Sequence, residues 1–403
     1  MGIALETAVN EPAIAIAGGG AVCATGLGLA SLQRAVAANT SALQRRELVV
    51  GKTSQSIVAG FVPDETVAQL RAADAAHSDS RAFLFAAAAL REAAENTSDI
   101  LDSIPPQRRG FVLSTTKANI EALDNLVRRQ PVSAIAQRQI QPSFLATDLA
   151  EAFDCRGPVQ CVSAACISGL SALLQGTALI RRGLADVVLV AGVDLISQFV
   201  LSGFNSLKSL DPEGCRPFDQ SRIGLSLGEG AAAIVLVKRE LLSSPAILIS
   251  GGGTSNDANH LTGPSRDGSG LALAIQRALT KADFTPEQID YVNAHGTGTP
   301  YNDAMESLAL RSVFGDHVPS FSSNKGIFGH TLGTAGILET ALCMTAMQNN
   351  LLPGTPRLRE RDPVAPASLL ATPQPAVHVK RILKMNCGFG GTNAAVILEQ
   401  EQP

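Results

Sequence analysis

Apolar residues follow two rhythms along this chain. One is the short unbroken run beside glycine: "AIAIAGGGAVCATG" at 13–26, "RRGFVLSTT" at 108–116, "GPVQCVSA" at 157–164, "ADVVLVAGVD" at 185–194 and "GEGAAAIVLV" at 228–237. Runs without polar alternation suit strands covered on both faces. The first reads as a buried strand followed by a glycine-rich turn. The other rhythm is helical. "SRAFLFAAAALREAAEN" at 80–96 is alanine-rich, and Ser80 stands where it can cap a helix. "SGLSALLQGTALIRRG" at 168–183 carries Leu170, Leu173 and Leu174 at helical spacing.

After about residue 240 the order repeats. "PAILISGGG" predicts a strand and a glycine turn, "GLALAIQRALTKA" a helix, and "IDYVNAH" a strand ending at a histidine. "VPSFSSNKGIFGH" leads into the helical "TAGILETALCMTAMQNN". "RILKMNCGFGGTNAAVILEQ" closes the chain with two strand-like runs joined by glycines. "GEGAAAIVLVK" at 228–238 and "GGTNAAVILEQ" at 390–400 each follow a glycine turn and finish a half, a weak internal repeat. The reading is two similar α/β halves, 1–240 and 241–403, sharing one core. "RLRERDPVAPASLLATPQPAV" at 357–377 is the most irregular stretch and reads as a surface excursion.

Charge changes the picture by exclusion. Charged residues are 17% of 403, against about 25% in typical globular chains, so much surface is buried. A formal net charge of −4 leaves no footprint for nucleic acid or for a polybasic membrane patch. "MGIALETAVNEP" lacks the basic start of a signal peptide, and "VVLVAGVDLISQFVL" is broken by Asp194 and Gln198, so no membrane span is expected. A cytoplasmic protein is the default. Seven cysteines without a CxxC pair argue against a disulfide framework and structural zinc, and no metal is expected.

Three segments carry candidate chemistry. In "VSAACISGL" at 162–170, Cys166 falls between a strand and a helix N-terminus, where dipole and free N–H groups lower a thiol pKa. Taken alone it also reads as a small buried residue, as Cys155 and Cys161 are read. In "VNAHGTGT" at 292–299, His295 ends a strand, and Thr297 and Thr299 offer hydroxyls two residues apart, suited to a polar, extended ligand arm. A core histidine is the other reading. In "SNKGIFGHTLGTAG" at 323–336, His330 precedes a helix whose dipole opposes protonation. Lys325 pairs with Glu339, either here or as a surface salt bridge. A cysteine with two histidines at element ends suits thiol acyl chemistry on a thioester.

Together with "RPFD" at 216–219, "GEGAAA" at 228–233, "NDAMES" at 302–307 and "GFGGTN" at 388–393, these segments resemble the β-ketoacyl-acyl-carrier-protein synthases of the thiolase superfamily, of the elongating type II-like kind. The resemblance implies the five-layered αβαβα thiolase-like fold. It implies a decarboxylative Claisen condensation of an acyl chain on Cys166 with a malonyl-carrier thioester. His295 and His330 would assist decarboxylation. The amides of Cys166 and Phe389 would form the oxyanion hole, and Thr297 and Thr299 would hold the phosphopantetheine arm. Lys325 and Glu339 would be the supporting ion pair, and Asp303 and Glu306 would brace the histidine loop. Phe389 would also act as a gate. It implies no cofactor on the enzyme itself, since phosphopantetheine rides on the acyl carrier protein. It implies a homodimer through "GPVQCVSA", or a heterodimer with a chain-length-factor-like homologue.

The sequence departs from the family pattern in two places. Leu225 in "GLSLGEG" replaces a frequent aromatic beside the pocket. "LSTTKANIEAL" at 113–123 replaces a glycine-rich border and looks like members serving aryl polyene or similar pigment pathways, so that fatty-acid and type II polyketide biosynthesis, the aryl polyene-like kind included, both stay open. Cys387 is similar to a second thiolase cysteine but is read as packing. The alternatives are a non-catalytic chain-length-factor subunit and a thiolase-type acyltransferase.

Overall fold

The computed structural model describes residues 11–50 and 53–402; most of the acidic N-terminal stretch read above lies outside them. Ten strands carry the architecture. In chain order they are β1 Ile14–Cys23, β2 Arg109–Ser114, β3 Val159–Val162, β4 Val187–Asp194, β5 Gly230–Lys238, β6 Ile247–Asn256, β7 Tyr291–Asn293, β8 Ser320–Ser322, β9 Arg381–Gly388 and β10 Thr392–Gln400. Among the helices that cover them are α1 Arg81–Glu95, α2 Ser168–Arg181, α3 Ser269–Ala282, α4 Pro300–Phe314 and α5 Ala335–Asn349.

The strands form one continuous hydrogen-bonded sheet made of two five-stranded sets, β1-β5-β4-β2-β3 and β6-β10-β9-β7-β8, joined through β1 and β6. Adding five to each label of the first gives the second. Directions repeat too: the first two pairings of each set are antiparallel and the last two parallel. The weak repeat seen in the sequence is thus a full structural one. Among the described residues the two sets pair edge to edge at Ala15–Leu248 and Ile16–Ile247.

Side-chain alternation explains the unbroken apolar strands. In β4 and β5, Val188, Val190, Ile234 and Leu236 face a central core with α2 and α5. Val187, Leu189, Val235 and Val237 face an outer core with α1. On the far side, Leu383, Met385, Ala395 and Ile397 pack with α3 and α4. Helix, sheet, helix, sheet, helix gives the five layers. Each fully buried Val, Leu or Ile contributes about 1.5–3 kcal/mol relative to exposure. α5 is buried on all sides from Ala335 to Met347, as a helix between two sheets must be.

The glycine triplets correct the sequence reading. They are not turns: β1 runs through Gly18–Gly20 and β6 through Gly251–Gly253. A Cβ on Gly20 would lie 2.0 Å from the Ala89 carbonyl oxygen in α1, and one on Gly253 would lie 2.2 Å from that of Ala274 in α3. The glycines let the outer helix approach its sheet, at matching places in both halves. Cys161 also departs from expectation, being exposed on the edge strand β3. Stretch 357–377 is irregular as expected, yet anchored, with Ala365 and Leu369 in the outer core.

Candidate active site

Cys166 and His330 occupy related places, each just before a central helix. Gly169 in α2 and Gly336 in α5 let the two helix starts meet; a Cβ on Gly169 would lie 2.8 Å from the Ile337 nitrogen. Ala165 holds φ at 49°, a strained left-handed turn for a residue with a side chain, and this turn aims Cys166 at the facing half. His330 is fixed by its backbone, donating to the Ser226 carbonyl at 2.7 Å and accepting from Gly228 at 2.9 Å. The result is an imidazole Nε2 3.0 Å from the Cys166 sulfur.

Burial dominates at that sulfur. It pushes the Cys166 thiol up to about 11, against a smaller lowering by Lys325 and by the Phe389 amide that hydrogen-bonds the sulfur. The sequence reading of a lowered pKa is therefore corrected: the resting group is a thiol. His330 is held down to about 3, by burial first and then by Lys325. A neutral imidazole beside a thiol can take its proton when a substrate carbonyl arrives.

His295 follows β7 on a loop held by carboxylates. Glu306 accepts from the amides of His295 and Gly296, both at 2.7 Å. Asp303 accepts from Thr297, Gly298 and Phe218. Burial raises both carboxyls, Glu306 to about 7 with Asp303 adding to the rise. The His295 ring lies edge-on to that of His330, 5.0 Å between centroids. Its pKa is well below the usual value, through burial and then Lys325.

Its tautomer is fixed by its neighbours. Nδ1 faces the Asn386 amide nitrogen at 2.8 Å and the Lys325 ammonium at 3.3 Å. Both are donors, so Nδ1 accepts and Nε2 carries the proton. Lys325 also donates to the His295 carbonyl at 2.6 Å and to Glu339 at 2.5 Å. This pair is fully buried, which removes the surface-salt-bridge reading. Glu339 is held down to about 2 despite burial, because Lys325 and Lys384 flank it.

Cys166, His295, His330, Thr297, Thr299, Leu225 and Phe389 line one cavity of about 470 Å³. The two threonine hydroxyls lie 2.9 Å apart. Leu225 is buried. Phe389 is partly exposed and stacks on Phe204. Lys325 and Glu339 lie on the Nδ1 side of His295, and Asp303 and Glu306 hold the His295 loop. Cys387 also lines the cavity, with its thiol pushed well up by burial. The ligand atoms of Cys166, His295 and His330 lie within 4.8 Å of one another. They do not fit a cation, because His295 presents N–H, not a lone pair, to the cavity.

Lys384 and Asn386 were missed by sequence reasoning. They alternate with Gly388 on one face of β9, and both are fully buried. The one signal was a lone lysine inside the apolar run "RILKMNC".

Profiles of the β-ketoacyl synthase N-terminal and C-terminal domains match residues 11–241 and 246–359. The chain belongs to the β-ketoacyl synthase family. It is a type II-like ketosynthase, an acyltransferase with the thiolase fold. It is similar to the ketoacyl synthase alpha subunit of the tetracenomycin polyketide synthase of Streptomyces glaucescens. That relative is 31% identical over 414 residues, spanning 96% of this chain and 97% of the other. Its structure is similar to a chain of the Xenorhabdus doucetiae complex of the ketosynthase ApeO with its chain length factor ApeC. There the TM-score is 0.86 at 28% identity, covering 98% of this chain and all of that one. The ishigamide ketosynthase/chain length factor gives 0.87 at 28%, covering 97% and 100%. Among the described residues of this ketosynthase no helix is long and apolar enough to cross a membrane.

Proposed function

We propose that Cys166 carries the acyl chain and that His295 and His330 act on the malonyl thioester of a carrier protein. The single observation that carries this reading is the convergence of one thiol and two neutral imidazoles on one cavity. The Cys166 sulfur attacks the acyl thioester. Its proton passes through His330 to the departing carrier thiolate. The oxyanion of this step sits between the amides of Cys166 and Phe389. Malonyl-carrier then enters, with its phosphopantetheine arm along Thr297 and Thr299. Loss of carbon dioxide leaves an enolate, whose oxygen accepts from Nε2–H of His295, with His330 as the second imidazole. The enolate carbon attacks acyl-Cys166 and expels the thiolate, which takes a proton from solvent. Phe389 gates the cavity from its loop, Leu225 shapes the pocket, and Asp303 and Glu306 hold the histidine loop.

The enzyme binds no cofactor of its own in this reading. Its seven free cysteines suit a reducing compartment, the cytoplasm. The edge strand β3 is the subunit contact, with a second copy or with a chain-length-factor-like chain. The structures similar to this one include ketosynthase and chain length factor together. The likeness of 113–123 to aryl polyene enzymes points to a polyenyl acyl chain. Malonyl-dependent release of carbon dioxide tests the chemistry. His295→Ala is expected to lower it about 10²–10³-fold, the usual loss for one oxyanion donor. A variant as active as wild type refutes the role. A panel of saturated and polyenyl carrier substrates tests the pathway: extension of saturated chains alone refutes the polyene assignment.

A further inference from the structure

Glu339 is shared by two lysines. Its Oε1 accepts from Lys325, and its Oε2 accepts from Lys384 at 2.7 Å and from Asn386 at 3.1 Å. The second lysine lies on β9 and is fully buried. Its Nζ also donates to the carbonyls of Met385 at 2.7 Å and Asn293 at 3.4 Å. Burial lowers its pKa, but the paired Glu339 carboxylate works against that, and three acceptors call for three protons, so Lys384 is an ammonium. The same count holds for Lys325, whose Nζ faces Glu339, the His295 carbonyl and the acceptor Nδ1 of His295. Two ammoniums and one carboxylate leave one net positive charge sealed under the histidines.

Glu306 from α4, raised to about 7 by burial and then by Asp303, faces Lys325 rather than Lys384, and Lys117 adds to the positive side at His330. The ionisable groups facing Lys384 itself do not cancel the surplus. Cys343 from α5 is a neutral thiol, pushed up to about 12. Tyr291 from β7 is raised and neutral, and Cys387 on the same strand is raised as well. His295 and His330 are neutral, and Lys384 is among the charges that keep them so. A buried carboxylate with two donors on one oxygen is also rigid. It fixes Asn386, and Asn386 with Lys325 fixes the His295 ring.

We propose that Lys384 is a positioning residue of this ketosynthase: it supplies the surplus positive charge beneath the site and, through Glu339 and Asn386, holds His295 with Nε2–H toward the substrate. The surplus charge opposes protonation of both imidazoles. It also favours the negative charge that builds on the enolate oxygen when carbon dioxide leaves. This rests on the decarboxylative reading above and adds a residue to it.

The test is malonyl-carrier decarboxylation followed against pH in the full-length enzyme. Lys384→Met brings the local charge from plus one to zero. Its acid limb is expected to move upward by about one pH unit. Its kcat should fall about tenfold, with KM for malonyl-carrier unchanged, because the interaction belongs to the transition state. Lys384→Met combined with Glu339→Gln restores a net plus one, and its acid limb should return to the wild-type position even where kcat stays low. A Lys384→Met profile that keeps its acid limb, at any kcat, overturns the proposal. Where Lys384→Met alone does not fold, the double variant decides: an upward-shifted acid limb overturns the proposal and a wild-type limb supports it. A wild-type enzyme that releases no carbon dioxide refutes the decarboxylative reading instead, so the two failures are told apart.

Discussion

A thiol with its pKa near 11 and an imidazole with its pKa near 3 make an unusual nucleophile pair at rest. Neither is charged, so the buried site avoids the desolvation cost of a thiolate–imidazolium pair. In the mechanism proposed above, activation comes with substrate, when the amides of Cys166 and Phe389 receive an oxyanion. Alkylation should report this. The rate of iodoacetamide modification at Cys166, read by peptide mass, is expected to keep rising with pH through 9 and 10, since the raised pKa keeps thiolate scarce below about 11. A plateau beginning near pH 8 would show an ordinary or lowered thiol. Cys166, His295 and His330 were legible because glycines and element ends surround them in the sequence. Lys384 and Asn386 were not, because nothing local marks a buried polar strand residue whose partners lie on other elements. Glu339 is 45 residues from Lys384 in the chain, and only the fold brings them together.

At the scale of elements, the strands and helices were legible from apolar rhythm, and α1 begins where Ser80 caps it, accepting from Phe83. The glycine triplets were misread because glycine marks both turns and close packing, and sequence rhythm cannot separate the two. What separates them is the helix laid across: α1 carbonyls over Gly18 and Gly20, α3 carbonyls over Gly251 and Gly253. Gly20→Ala is expected to destabilise the protein by about 1–3 kcal/mol, since backbone must shift to admit the methyl group. Urea unfolding checks this. An unchanged midpoint would mean that α1 does not press on β1 as described.

At the scale of the molecule, the repeat is what assembles the site. Cys166 comes from the first half and His295, His330, Lys325, Glu339, Lys384 and Asn386 from the second, so neither half holds the chemistry alone. The sequence carried a faint trace of this in its two closing strands; the matching ladder order became visible only with the pairing. The low charge content fits a buried subunit face, and β3, proposed above as that contact, has Val159 and Cys161 exposed on its edge. Val159→Lys is expected to shift the protein toward monomer in light scattering, and an unaltered assembly would move the contact elsewhere. The central claim, that an acyl chain is carried on the sulfur at 166, is tested most directly by peptide mass mapping after incubation with an acyl-carrier thioester. The expected result is one acyl adduct, on Cys166 and absent from Cys166→Ala. An unmodified Cys166, or an adduct on Cys387 in its place, would contradict the account.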